Sequence, residues 1–225
     1  MSIPVPVVPK YDVVLPVSKK KVQYRPFLVR EEKILLMASG NIQEMELAVK
    51  QVLENCTFNA IDVGSLPMAD VELLFIKIRA RSIAETIDST VECNKCKTKI
   101  GYTIELDKTA VVNNVTTNDV KIDDNIIVTM GYPTLDMSMG SVGEPLIVTA
   151  ELIQMITMGE NVFEGRDFTT DQRVEWLNNL TKHQLDKLTE YLNTLPKLVY
   201  DDHIKCTCGN PIHVHMEGIS DFFGL

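Results

Sequence analysis

Two short cysteine motifs constrain this chain more than anything else in it: Cys93-x-x-Cys96 and Cys206-x-Cys208-Gly209. Residues of alternating polarity flank each one. Val91 precedes the first, and Ile100, Tyr102, Ile104 and Leu106 follow it. Leu198-Val199-Tyr200 and Ile204 precede the second, and Ile212, Val214 and Met216 follow it. A period of two on both sides of a tight turn predicts two hairpins, each presenting a pair of sulfurs at its tip. Two such knuckles facing each other supply four thiolates in a tetrahedron, the closed arrangement of a structural zinc site. Cys93, Cys96, Cys206 and Cys208 are therefore the expected metal ligands, holding one structural Zn²⁺ per chain. Gly209 suits a turn that needs a positive φ. Lys95, Lys97 and Lys205 would offset part of the negative charge. Two other readings stay open. One is four plain reduced cysteines near strand ends, and the other is a redox pair at Cys93 and Cys96. A β-turn lacks the helix N-terminus that lowers a thiol pKa, which weighs against the redox pair.

His203, His213 and His215 lie close to the second motif, where one of them could replace a cysteine or stand behind the ligands. The alternation His213-Val214-His215 puts both imidazoles on the outer face of a strand, where solvation is the simpler reading. The fifth cysteine, Cys56, reads as a buried small hydrophobe.

Cys96 and Cys206 lie 110 positions apart, far more than a compact zinc ribbon spans. A helical insertion explains the gap. The fold class expected is α+β: a small N-terminal helical bundle plus a zinc-ribbon-like β-module carrying that insertion. Residues 1–25, rich in Val, Pro and Lys, read as an extended arm, since each proline removes a donor and restrains its predecessor. Residues 26–88 read as helical. A first short helix carries Glu31, Glu32 and Ile34 to Met37 and stops at Ser39-Gly40. Asn41 with Glu44 opens a second, which ends at Asn55-Cys56. Pro67 opens a third, striped by Val71, Leu74, Phe75 and Ile78. Residues 89–225 form the β-module, with hairpins at 89–106, 120–130 and 198–217 and the helical insertion at 145–195. Residues 131–143 read as a loop, with Gly140-Ser141-Val142-Gly143 a turn within it. Thr169 with Gln172, and Thr181 with Gln184, have capping-box spacing inside the insertion.

The chain has 225 residues and a net charge of −9, with 45% apolar residues. That is enough to bury a real core, and the composition excludes wholesale disorder, collagen-like repeats and a Cys-dense secreted scaffold. The acidic balance argues against a general nucleic-acid binder, which needs positive surface to displace counterions. No stretch has the apolar length of a membrane span, and the proline-broken start does not read as a secretory signal. A cytoplasmic birthplace is expected, where cysteines stay reduced or bind metal.

No catalytic constellation emerges. A four-cysteine zinc has no open position to activate water. Glu31-Glu32 and Asp201-Asp202 are adjacent carboxylates that diverge on a helix or strand and read as solvated. His183, early in a helix, reads as an exposed polar residue. There is no phosphate-cradling glycine loop. The chain is expected not to be an enzyme. The Val/Pro arm, the Phe222-Phe223-Gly224-Leu225 terminus and ten methionines suit an interaction protein.

The run Tyr24-Arg25-Pro26-Phe27-Leu28-Val29-Arg30-Glu31-Glu32-Lys33-Ile34-Leu35-Leu36-Met37-Ala38 resembles the opening helix of the T-even-type bacteriophage baseplate proteins, the hub subunit and hub-assembly proteins of contractile-tailed phages. So do the helix ending in Asn55-Cys56, the Asp62-Val63 stretch leading to Pro67, and Val71-Glu72-Leu73-Leu74-Phe75-Ile76-Lys77-Ile78-Arg79. Both cysteine motifs and the Phe222-Phe223 tail fit as well. The resemblance implies a non-enzymatic viral protein, a component or assembly factor of the tail baseplate hub. Its implied partners are other tail and hub proteins, with the tape-measure protein a candidate. Its implied place is the host cytoplasm during assembly, and the virion tail. The rival reading is a zinc-ribbon nucleic-acid or transcription module.

Overall fold

The computed structural model describes residues 6–38, 41–140 and 144–218. The start of the arm, the Ser39-Gly40 stop, the Ser141-Val142-Gly143 part of the expected turn and the Phe222-Phe223 tail lie outside the described residues. The fold is mixed α and β, with seven α-helices and several small antiparallel sheets among the described residues.

The chain divides into two compact units. One is built from the residues up to Val112 together with those from Lys197 onward, and the other is Asn113–Pro196. The first unit opens with strands β1 (Tyr11–Val14) and β2 (Lys21–Tyr24), paired antiparallel with Tyr11 opposite Tyr24. Over residues 11–24 this hairpin stands where the sequence leads one to expect part of an extended arm. Two long-range contacts explain it. Leu15 and Val22 are buried, and the carboxylate of the fully buried Asp70 accepts the N–H groups of Val17 and Ser18 at 2.9 and 2.7 Å. A chain reversal that would otherwise strand two donors is thereby satisfied from another element.

Three helices follow: α1 (Val29–Met37), α2 (Ile42–Cys56) and α3 (Met68–Ser82). Asn41 caps α2 by accepting the Glu44 N–H at 3.2 Å. The buried positions of α3 include Leu73, Ile76 and Ala80 as well as the expected stripe, because this helix is covered on more than one side. Strands β3 (Thr86–Glu92) and β4 (Lys99–Glu105) form one hairpin. A three-stranded sheet has β10 (Lys197–Lys205) between β11 (Pro211–Glu217) and the short β5 (Ala110–Val112). One core joins these parts: Leu73, Ile76 and Ala80 of α3 pack with Ile104, Leu106, Leu198, Tyr200, Ile212 and Val214. Cys93 and Cys206 belong to the same cluster.

Asn113–Pro196 leaves and re-enters the first unit at neighbouring positions, since Val112 and Lys197 are register partners on β5 and β10. It is not a purely helical insertion. It holds a four-stranded antiparallel sheet in the order β6 (Asp119–Lys121), β7 (Ile126–Met130), β8 (Ile153–Met158), β9 (Asn161–Glu164). The 120–130 hairpin belongs to this sheet and not to the cysteine-bearing unit. Asp123 closes its turn by accepting the N–H groups of Asn125 and Ile126. Within the expected loop at 131–143, Leu135–Gly140 forms the helix α4. Helices α5 (Pro145–Leu152), α6 (Thr170–Asn178) and α7 (Lys182–Thr194) supply the rest. Leu152, Leu177, Leu188 and Tyr191 meet Val128, Met130 and Ile156 in a core of their own. Both expected capping boxes form, at Thr169/Gln172 and Thr181/Gln184.

Candidate metal centre

The β3–β4 register runs to Glu92 opposite Lys99, so residues 93–98 make the turn. The β10–β11 register runs to Lys205 opposite Pro211, so residues 206–210 make the other. Each turn is closed by a pair of backbone hydrogen bonds. Lys97 N–H donates to the Cys93 carbonyl at 2.9 Å and Cys93 N–H to the Thr98 carbonyl at 3.0 Å. Gly209 N–H donates to the Cys206 carbonyl at 2.8 Å and Cys206 N–H to the Asn210 carbonyl at 2.9 Å. Both turns need a left-handed residue just after the second cysteine. Gly209 supplies φ +82°, as the sequence predicts, and Lys97 supplies φ +60° without being a glycine.

The four Sγ atoms lie within 4.8 Å of one another, and none is paired in a disulfide. Cys93 and Cys208 sulfurs are 3.9 Å apart, and those of Cys96 and Cys206 are 3.4 Å apart. Tetrahedral thiolate ligation of zinc at ~2.3 Å requires sulfur–sulfur edges of ~3.8 Å. The donor set and its spacing therefore fit such an ion, and the distances are far longer than a disulfide bond. Cys93 and Cys206 are buried, whereas Cys96 and Cys208 are exposed.

Sulfurs this close cannot all be ionised without a cation, and the thiols are driven apart in acidity. Hydrogen bonds from the Thr98 hydroxyl and N–H hold Cys96 down at about 6. Backbone N–H groups of Cys96 and Lys95 pull Cys93 down against the effect of burial. The Asn210 N–H favours the Cys208 thiolate, but its bonds to the other thiols, together with burial, push it up to about 12. Lys95, Lys97 and Lys205 are all exposed, and Lys97 pairs with Glu92 at 3.5 Å.

Asn210 is a contributor that the spacing of cysteines does not reveal. Its side-chain amide donates to the Asn94 side-chain oxygen Oδ1 at 2.8 Å and approaches Cys93 Sγ at 3.7 Å, joining one knuckle to the other. An amide just after the second motif was its only sequence signal. The histidines do not replace a cysteine, for His213 and His215 group with Asp201 instead. Cys56 is fully buried, and burial pushes its thiol up to about 11. Glu31 is not solvated, contrary to the expectation for the Glu31-Glu32 pair. It is fully buried beside Arg25, 3.0 Å from Arg25 Nη2.

The family model described as T4 bacteriophage base plate protein matches residues 8–224, nearly the whole chain. The chain belongs to the T4 bacteriophage base plate protein family. The match takes in both cysteine knuckles and all of Asn113–Pro196, so the two units are parts of one base plate protein. No curated protein and no solved structure matches the chain. A base plate family places the chain in the phage tail as a structural protein. No helix among the described residues is long and apolar enough to cross a membrane.

Proposed function

We propose that this base plate protein is a non-enzymatic component or assembly factor of the baseplate hub, acting through contacts with other tail and hub proteins. The tape-measure protein is one candidate partner, and the work is done in the host cytoplasm while the tail is built. Cys93, Cys96, Cys206 and Cys208 would hold one structural Zn²⁺ and make the two hairpins a zinc-ribbon-like β-module. The observation that carries the reading is the convergence of four sulfurs from two turns 110 positions apart. Bound there, the ion supplies a rigid cross-link and compensates the thiolate charge. The chain's own residues do the rest. Thr98 and the Cys96 and Lys95 N–H groups stabilise thiolates, Asn210 ties knuckle to knuckle, and α3 backs the hairpins with apolar surface. Four protein ligands leave no open position for a substrate, which suits a part that must be stiff instead of reactive.

Two measurements test this. Purified protein should retain zinc at the four-cysteine site after dialysis, lose it on Cys93→Ser, and melt at lower temperature after chelation. A metal-free protein with unchanged melting overturns the zinc. Infection with phage lacking the chain should yield baseplates without a finished hub, and complete baseplates would overturn the hub role. The nucleic-acid reading would return only on tight, salt-sensitive DNA binding, which a net charge of −9 disfavours.

A further inference from the structure

The outer face of the β10–β11 hairpin carries an arrangement that the thiolate site does not use. Register pairs Asp201 with His215 and His203 with His213, so all four side chains project from the same face. The opposite face, with Tyr200, Val214 and Ile212, is buried in the core. Asp201 Oδ1 lies 2.8 Å from His213 Nε2 and 2.8 Å from His215 Nδ1. The His203 ring stacks on the His213 ring at 4.7 Å between centroids, nearly parallel, which holds that imidazole in place.

From this geometry we infer a second metal site, a surface site for a divalent transition-metal ion ligated by His213, His215 and Asp201. Their ligand atoms already lie within 4.8 Å of one another. Ligation at ~2.1 Å in a tetrahedron requires edges of ~3.4 Å, so small rotations of exposed side chains suffice. Two imidazoles and one carboxylate select Zn²⁺, Co²⁺, Ni²⁺ or Cu²⁺ over Mg²⁺ and Ca²⁺, which prefer oxygen. Three protein ligands leave a position for water, unlike the closed four-cysteine site. The backbone of a paired hairpin fixes the spacing, so binding does not have to order the chain. His203 takes the part of a positioning residue, because it braces His213 without joining the ligand group. Glu217 stands 4.0 Å from the far nitrogen of His215, on the side of the ring away from the ligand group.

The test uses the full chain already loaded with one equivalent of Zn²⁺ and titrated with further Zn²⁺ under reducing conditions. Nuclear magnetic resonance of the histidine rings reads which imidazoles bind, and calorimetry reads stoichiometry. One further equivalent should bind, shifting the ring signals of His213 and His215. His213→Ala, His215→Ala and Asp201→Asn should each weaken it at least tenfold, while circular dichroism stays unchanged because these side chains are exposed. His183→Ala, on α7, should leave it intact. Equal binding by wild type and the double variant His213→Ala/His215→Ala overturns the site, as does an equal loss with His183→Ala. Cobalt separates the two sites. Thiolate-to-metal charge transfer reports the four-cysteine site alone, so its absence would sink that assignment and leave this one standing.

Discussion

Glu31 shows how one buried carboxylate can tie a helix to the segment that precedes it. Its carboxylate accepts from Arg25 Nη2 at 3.0 Å, from Arg30 Nε at 2.7 Å and from the Leu28 N–H at 2.8 Å, the last serving as a cap for α1. Burial alone would raise its pKa, but the bonds from Arg25, Arg30 and Leu28 and the Arg25 charge outweigh it and hold it down at about 2. A folded pKa below the unfolded one adds stability above pH ~4.3, lost as pH falls towards the folded value. Glu31→Gln should therefore cost about 3 kcal/mol at neutral pH by leaving Arg25 buried without its counter-charge. Urea midpoints of the two proteins should converge as pH drops from 5 towards 2. A gap that ignores pH would refute the pairing as the source. The left-handed residues of the two knuckles make a matched pair. Lys97→Gly should stabilise by about 0.5–1 kcal/mol, since relief of the left-handed strain exceeds the entropy of a new glycine. Gly209→Ala should destabilise by about 1 kcal/mol through φ alone, because nothing within 4 Å would obstruct the new Cβ. Melting curves recorded with zinc added read both.

Elements divide by whether their causes are local. The capping boxes at Thr169 and Thr181, the turn at Asp123 and the two cysteine turns are specified within a few residues, and all were legible. The β1–β2 hairpin was not. Its turn is held by Asp70, more than fifty positions away, and no local pattern carries that. Glu31 escaped for the same reason, since its partner Arg25 comes from outside the helix. The sequence reads β8 and β9 as helix because no proline or glycine separates Ile153–Met158 from α5. Gly159, with φ +59°, was the available signal, a turn residue between two short apolar runs. Gly165, just after β9, adds a steric demand: a Cβ there would sit 2.2 Å from the Ile153 carbonyl oxygen. Gly165→Ala should destabilise Asn113–Pro196 by about 3 kcal/mol, as overpacking against backbone does. Thr181→Ala should cost only about 1 kcal/mol for one lost cap. Urea unfolding followed by fluorescence ranks them, and equal costs would contradict the close approach.

At the scale of the whole molecule, the candidate site and its four sulfurs were visible from spacing, but the partition of the chain was not. A gap between cysteine motifs says only that something is inserted. It does not say that the insert has its own sheet and core. The two cores draw on different residues, and the insert joins the first unit through chain ends held side by side at Val112 and Lys197. Such a connection lets each unit keep its own stability. The one tryptophan, Trp176, lies on α6 inside the insert, while the cysteines all lie outside Asn113–Pro196. Nature has thus placed a separate reporter on the unit that has no thiols. Chelating the proposed zinc should lower the melting transition seen by far-ultraviolet circular dichroism, which reads both units, by splitting off an early phase. The tryptophan fluorescence midpoint should stay where it was. If both probes shift together by the same amount, the units unfold as one body and the insert depends on the thiolate site for its fold.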